Sequence, residues 1–109
     1  MAHELSTALA VRVTSFPPEE RFELARQIRR AVRSIGANLA EGAGKQGDRE
    51  MVRYARIARG SAHELENHLL VARDCKLIDA EEWRQYDETV QRVCRMLSGL
   101  IRMRLRPNR

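Results

Sequence analysis

Apolar residues recur at steps of three and four along most of the chain, and glycine and proline cluster only at Pro17-Pro18, Gly36, Gly42 to Gly47 and Pro107. That is the periodicity of amphipathic helices separated by short breaks. Leu5, Ala8, Leu9 and Val13 predict a short first helix ended by Pro17-Pro18. A second helix is expected from Pro18, with Glu19, Glu20 and Glu23 near its positive end and Leu24, Ile28, Val32, Ile35 and Leu39 on one face. Gly36 interrupts this face and predicts a kink or a close helix contact, and Gly42 is the expected end.

After the loop Gly42-Ala43-Gly44-Lys45-Gln46-Gly47, Asp48 is the expected N-cap of a third helix. Met51, Ala55, Ala58, Ala62, Leu65, Leu69 and Ala72 then alternate steps of four and three. Four of these seven are alanine, and small side chains along a seam let neighbouring backbones approach closely, so this helix is expected in the middle of the molecule. Asp79-Ala80-Glu81-Glu82 has the spacing of a capping box and opens a fourth helix. Trp83, Tyr86, Val90, Val93, Leu97 and Leu100 form its stripe, widened by Cys94 and Ile101. Met96 and Met103 fall outside it, seven residues apart on an expected exposed face, which points to self-association. Short connections favour an all-α, antiparallel up-down-up-down four-helix bundle, formed as one domain over residues 1–109.

No apolar run approaches the roughly 20 residues of a membrane span, so no membrane partner is expected. Residues Met1 to Ala10 lack a basic leader and a long apolar stretch, which predicts a cytoplasmic protein. Chemistry is sparsely represented. Cys75 and Cys94 have no metal-ligand spacing and are expected to be free thiols. His3, His63 and His68 include no pair at helical ligand spacing, and Glu64 with His68 is one residue too far apart for the di-iron bundle motif, so no metal and no cofactor is expected. The glycine-rich loop lacks Walker spacing, and Ser34, Ser61 and Ser98 have no readable base. These absences favour a binding protein over an enzyme.

Charge changes this picture. The chain carries 20 Lys plus Arg against 15 Asp plus Glu, a formal net charge of +5, and eighteen of the cations are arginine. Guanidinium binds phosphate bidentately and stacks on bases, so this excess points towards nucleic acid. Advanced by 100° per residue, Arg26, Arg29, Arg30 and Arg33 lie opposite the apolar face of the second helix, and Arg49, Arg53 and Arg56 point away from the alanine seam of the third. Arg92, Arg95, Arg102, Arg104, Arg106 and Arg109 follow without an intervening acid. Phe16, Phe22, Tyr54, Trp83 and Tyr86 are few and core-like, which argues against a stacking platform for base-specific readout. Glu64, Glu66 and Asp74 make the second half of the third helix acidic, a segregation equally suited to orienting neighbouring subunits in a scaffold.

Gln27-Ile28-Arg29-Arg30-Ala31 followed by Ser34-Ile35-Gly36-Ala37-Asn38-Leu39-Ala40-Glu41-Gly42 resembles the motif of the four-helix-bundle 23S rRNA-intervening-sequence proteins. Phe16-Pro17-Pro18-Glu19-Glu20, Arg56-Ile57-Ala58-Arg59-Gly60-Ser61 and Glu64-Leu65-Glu66 extend the resemblance, in order, from about Ala8 to Leu100. That family is similar to the accessory variability proteins of diversity-generating retroelements. The resemblance therefore implies a homo-oligomer, a pentamer, with basic surfaces that bind RNA or DNA and a reverse transcriptase. Arg29, Arg30, Asn38, Glu41 and Gly42 match the motif, and Asn38 and Glu41 are expected to form a polar contact near the end of the second helix. The chain departs from the family in carrying Gly36 where proline is common, and in a shortened first helix without its usual aromatic residue.

Overall fold

The computed structural model describes residues 2–17 and 22–107, so the expected helix start at Pro18, Glu19 and Glu20, and the terminal Arg109, lie outside the described residues. Four helices follow one another: α1 (Ala2–Val13), α2 (Phe22–Gly44), α3 (Asp48–Asp74) and α4 (Ala80–Leu105). They form an up-down four-helix bundle extending over 51 × 22 × 19 Å. The central helix is α3, which packs against both α2 and α4, while α1 lies against α2 and meets α4 over a short stretch. Its position follows from its seam. Ala55, Ala58, Ala62 and Ala72 are fully buried, and side chains of one carbon let helices on two sides approach it closely.

The core predicted from periodicity is present: Leu5, Leu9 and Val13 from α1; Ile28, Val32 and Ile35 from α2; Leu65 and Leu69 from α3; Val90, Val93, Leu97 and Ile101 from α4. Corrections concern ends and flanks. Helix α1 stops at Val13, ahead of the prolines, in a turn where the amides of Thr14, Ser15 and Phe16 each donate to the carbonyl three residues back. Ala8 and Phe22, placed in the core by sequence, are exposed, Phe22 by 61%. Helix α2 runs past Gly42 to Gly44. Gly36 makes no close contact: it is exposed within a continuous helix, and a Cβ there would meet nothing within 4 Å. The close approach is at Gly42, where a Cβ would sit 2.9 Å from both Met51 Sδ and Tyr54 Cβ.

Asp48 is not the N-cap of α3. Gly47, at φ 102°, holds that place in a backbone conformation that glycine adopts without strain, and it supplies no side-chain cap. The capping box of α4 is formed as predicted: Asp79 accepts from the Glu82 amide at 2.8 Å, and the Glu82 carboxylate accepts from the Asp79 amide. At the other end of that connection, α3 closes with Lys76 at φ 63°, its amide bonded to the Arg73 carbonyl and that of Leu77 to the Ala72 carbonyl. This is the Schellman pattern that usually places glycine where Lys76 stands.

Arg12 joins three elements at this end. Its guanidinium donates to both Glu82 carboxylate oxygens, at 2.6 and 3.2 Å, and to the Leu77 carbonyl at 2.7 Å. That hydrogen bond, aided by the Asp79 amide, holds the Glu82 carboxyl below the usual carboxylate range despite partial desolvation. A carboxyl depressed in the folded state contributes stability above its unfolded pKa and loses it as pH falls through the folded value. Glutamine at 82 keeps the capping box and removes the charge, so Glu82→Gln is expected to cost about 1 kcal/mol at neutral pH, discounted for partial exposure. The deficit against the native chain should begin to shrink in urea titrations as pH falls below about 4.3, the ordinary glutamate value, and vanish only below the lowered folded-state pKa. A deficit that persists undiminished into acid would assign the loss to packing.

Candidate nucleic-acid interface

The basic residues of α3 and α4 meet where α3 begins and α4 ends. An open groove of about 1120 Å³ there is lined by Asp48, Arg49, Glu50, Val52, Arg53, Arg56 and Ile57 from α3, and by Arg104 and Leu105 from α4. Three guanidinium groups reach it from α3 because positions 49, 53 and 56 repeat at four and three on the helix back. The fourth arrives because α4 is long enough to bring its last turn beside the first turn of α3. Arg104 Nη1 donates to Asp48 Oδ1 at 3.0 Å. Arg53 lies 3.6 Å from Glu50 and places its guanidinium over the Tyr54 ring, 5.2 Å from the centroid. Arg49 and Arg56 are exposed and have no ion-pair partner among the described residues.

Two smaller cavities continue along the same pair of helices. One, of about 250 Å³, is lined by His63, Gln91, Cys94, Arg95, Ser98 and Arg102. Beside it, Arg59 donates to the Ser98 hydroxyl at 3.2 Å. The next, of about 340 Å³, is lined by His63, Glu66, Asn67, Leu70, Trp83 and Asp87. Charge therefore changes sign along the α3–α4 seam, basic at the start of α3 and acidic towards its end. The predicted acidic half of α3 is the second part of this gradient.

The model of the 23S rRNA-intervening sequence protein family matches residues 1–99. The chain belongs to that family. A crystal structure of a protein of unknown function from the S23 ribosomal protein family of Bacteroides thetaiotaomicron is similar to it with a TM-score of 0.77 and 25% identity. The similarity covers 93% of this chain and 98% of that one. No curated protein sequence matches the chain.

Of the family-motif residues on α2, Asn38 and Gly42 make contacts that pack the helices. Asn38 Nδ2 donates to the Ser34 carbonyl at 2.8 Å and to the Ser34 hydroxyl at 3.0 Å, and that hydroxyl lies 2.7 Å from the Ser61 hydroxyl of α3. Ser61 is buried, so this short chain of polar groups fixes α2 against α3 inside an apolar seam. The expected Asn38–Glu41 contact is absent: Glu41 instead faces Lys45 at 3.7 Å, one turn on. Gly42, the last of the motif residues, is closely approached by α3: a Cβ there would lie 2.9 Å from Met51 Sδ and Tyr54 Cβ.

The α2 arginines form a second face and do not line the groove. Arg26 is engaged bidentately by Glu23, at 2.9 and 3.1 Å, which raises the arginine pKa and lowers that of Glu23. Arg30 and Arg33 are exposed, Arg29 half-buried, and neither Arg29 nor Arg33 has an ion-pair partner among the described residues. Arg92, Arg95, Arg102 and Arg106 are likewise exposed. Sequence missed the convergence of Arg104, Ile57 and Leu105 on the α3 set, because no local spacing links positions 57 and 105.

The two thiols sit in different settings, Cys75 exposed and Cys94 buried. Cys75 and Cys94 are both free thiols, and Cys94 is buried, its pKa pushed up mainly by desolvation. Among the described residues no group of three or more His, Cys, Asp or Glu is placed to hold a metal ion. No described helix is long and apolar enough to cross a membrane.

Proposed function

We propose that this protein is a non-catalytic binder of nucleic-acid backbone, and that the groove at the start of α3 is where it takes phosphates. The observation that carries this is the convergence of Arg49, Arg53, Arg56 and Arg104 on one open groove. Guanidinium forks pair with phosphate oxygens geometrically as well as electrostatically. The α2 face, with Arg26, Arg29, Arg30 and Arg33, is a second basic surface that extends the contact or serves a neighbouring subunit.

The carboxylates of Asp48 and Glu50 occupy two of these guanidinium groups in the free protein, and a phosphate would displace them. Asp48→Asn is therefore expected to tighten binding about 3- to 10-fold at low salt, by removing a carboxylate that repels phosphate and competes with it for Arg104. Fluorescence anisotropy with labelled RNA and duplex DNA over a salt series tests both statements. Unchanged or weaker binding by Asp48→Asn would show that Arg104 needs its carboxylate partner to be held in the groove.

Self-association would serve the same reading. Met96 and Met103 are 57% and 46% exposed on α4, and apolar side chains left in water favour burial between subunits. A homo-oligomer, pentameric by resemblance to the accessory variability proteins, would pool basic faces and raise affinity by multivalency. By the same resemblance a reverse transcriptase is the protein partner to test first. Light scattering reads the assembly: a monomer at micromolar concentration removes the multivalent part of the proposal.

A further inference from the structure

Apolar side chains stand exposed among the guanidinium groups of the groove. Ile57 is 44% and Leu105 55% exposed, and both line it with Val52. A site that met only the outside of a duplex would have no use for them, because a duplex presents phosphates and sugars there and keeps its base faces stacked. A single strand can splay its bases, and an unstacked base loses water-exposed surface by lying on an apolar side chain or a guanidinium plane. The size of the groove agrees. Its volume, about 1120 Å³, is slightly above the roughly 300–1,000 Å³ of sites that enclose a small molecule, which suits a short run of nucleotides.

We infer that the groove selects single-stranded nucleic acid, with arginines on the phosphates and Ile57 and Leu105 under unstacked bases. This rests on the phosphate-binding reading and narrows its substrate class. Specificity for base identity is not part of it, since no aromatic residue is among those that line the groove, and the nearby Tyr54 ring is already covered by Arg53.

The experiment compares anisotropy titrations of an oligouridylate and a blunt duplex of equal length, using the full chain at fixed salt. Three proteins are needed: native, Ile57→Ser with Leu105→Ser, and Arg49→Gln with Arg53→Gln and Arg56→Gln. Both apolar residues are exposed, so the serine variant should fold, and its circular dichroism melt checks this. The expected result is about tenfold tighter binding of the single strand by the native chain, reduced several-fold in the serine variant with duplex binding unchanged. The glutamine variant should lose both probes. Equal affinities for the two probes, unaltered by serine, would overturn the single-strand inference while leaving phosphate binding intact. Failure to bind either probe at low salt would remove the phosphate reading itself and this inference with it.

Discussion

Gly42→Ala should destabilise the bundle by about 1–3 kcal/mol, whereas Gly36→Ala on the same helix should stabilise it by up to about 1 kcal/mol. Both residues lie within α2, where alanine is the better helix former, so propensity alone gives the two substitutions the same sign. Space separates them. At position 36 the added methyl meets nothing within 4 Å, and the propensity gain is realised. At position 42 it would lie 2.9 Å from Tyr54 Cβ and from Met51 Sδ. The methionine sulfur can swing aside, but the tyrosine Cβ is fixed to the α3 backbone, so the two helices must move apart there. Thermal melts followed by circular dichroism measure this, at roughly 4–8 °C per kcal/mol for a domain near this size. Two melting temperatures displaced upwards together would mean that α2 and α3 have slack at Gly42.

The largest functional effect is expected from replacing Arg49, Arg53 and Arg56 with glutamine. Each lost phosphate contact lowers the salt slope by about 0.7 for a single strand or 0.9 for a duplex, so the three together reduce it by about 2 to 3. At moderate salt this corresponds to roughly 100-fold weaker binding, about 1 kcal/mol for each contact. Stability should be little changed, since all three are exposed on the back of α3 and, among the described residues, only Arg53 has an acid near, at 3.6 Å. The matched variant on α2, Arg29→Gln with Arg30→Gln and Arg33→Gln, apportions the two faces. A smaller loss there places the principal contact in the groove; a larger one moves it to α2, with the groove as the secondary surface.

Helical periodicity made most of the fold legible from sequence, because each helix here carries its own amphipathic record. The stripe Leu24, Ile28, Val32, Ile35 and the alanine seam of α3 named core residues correctly, and Asp79 with Glu82 marked the start of α4 through a contact made entirely within four residues. The placement of α3 between α2 and α4 was likewise readable, since small side chains at regular spacing serve no purpose unless other backbones come close. The family, too, was recognisable in the linear order of its motif.

What sequence left undetermined depends on distances between helices. Gly36 and Gly42 are equivalent as letters, and only the packing of α2 on α3 decides which of them has a neighbour. Asp48 has the identity of an N-cap, yet the backbone of Gly47 takes that position and the aspartate faces Arg104 from α4. Phe22, the first residue of α2, is 61% exposed although its side chain is apolar. The arginines were all visible as charge, but their gathering around Ile57 and Leu105 was not. Helix faces are local and follow from a period of 3.6 residues, whereas a groove between α3 and α4 exists only once two segments some fifty residues apart are brought side by side.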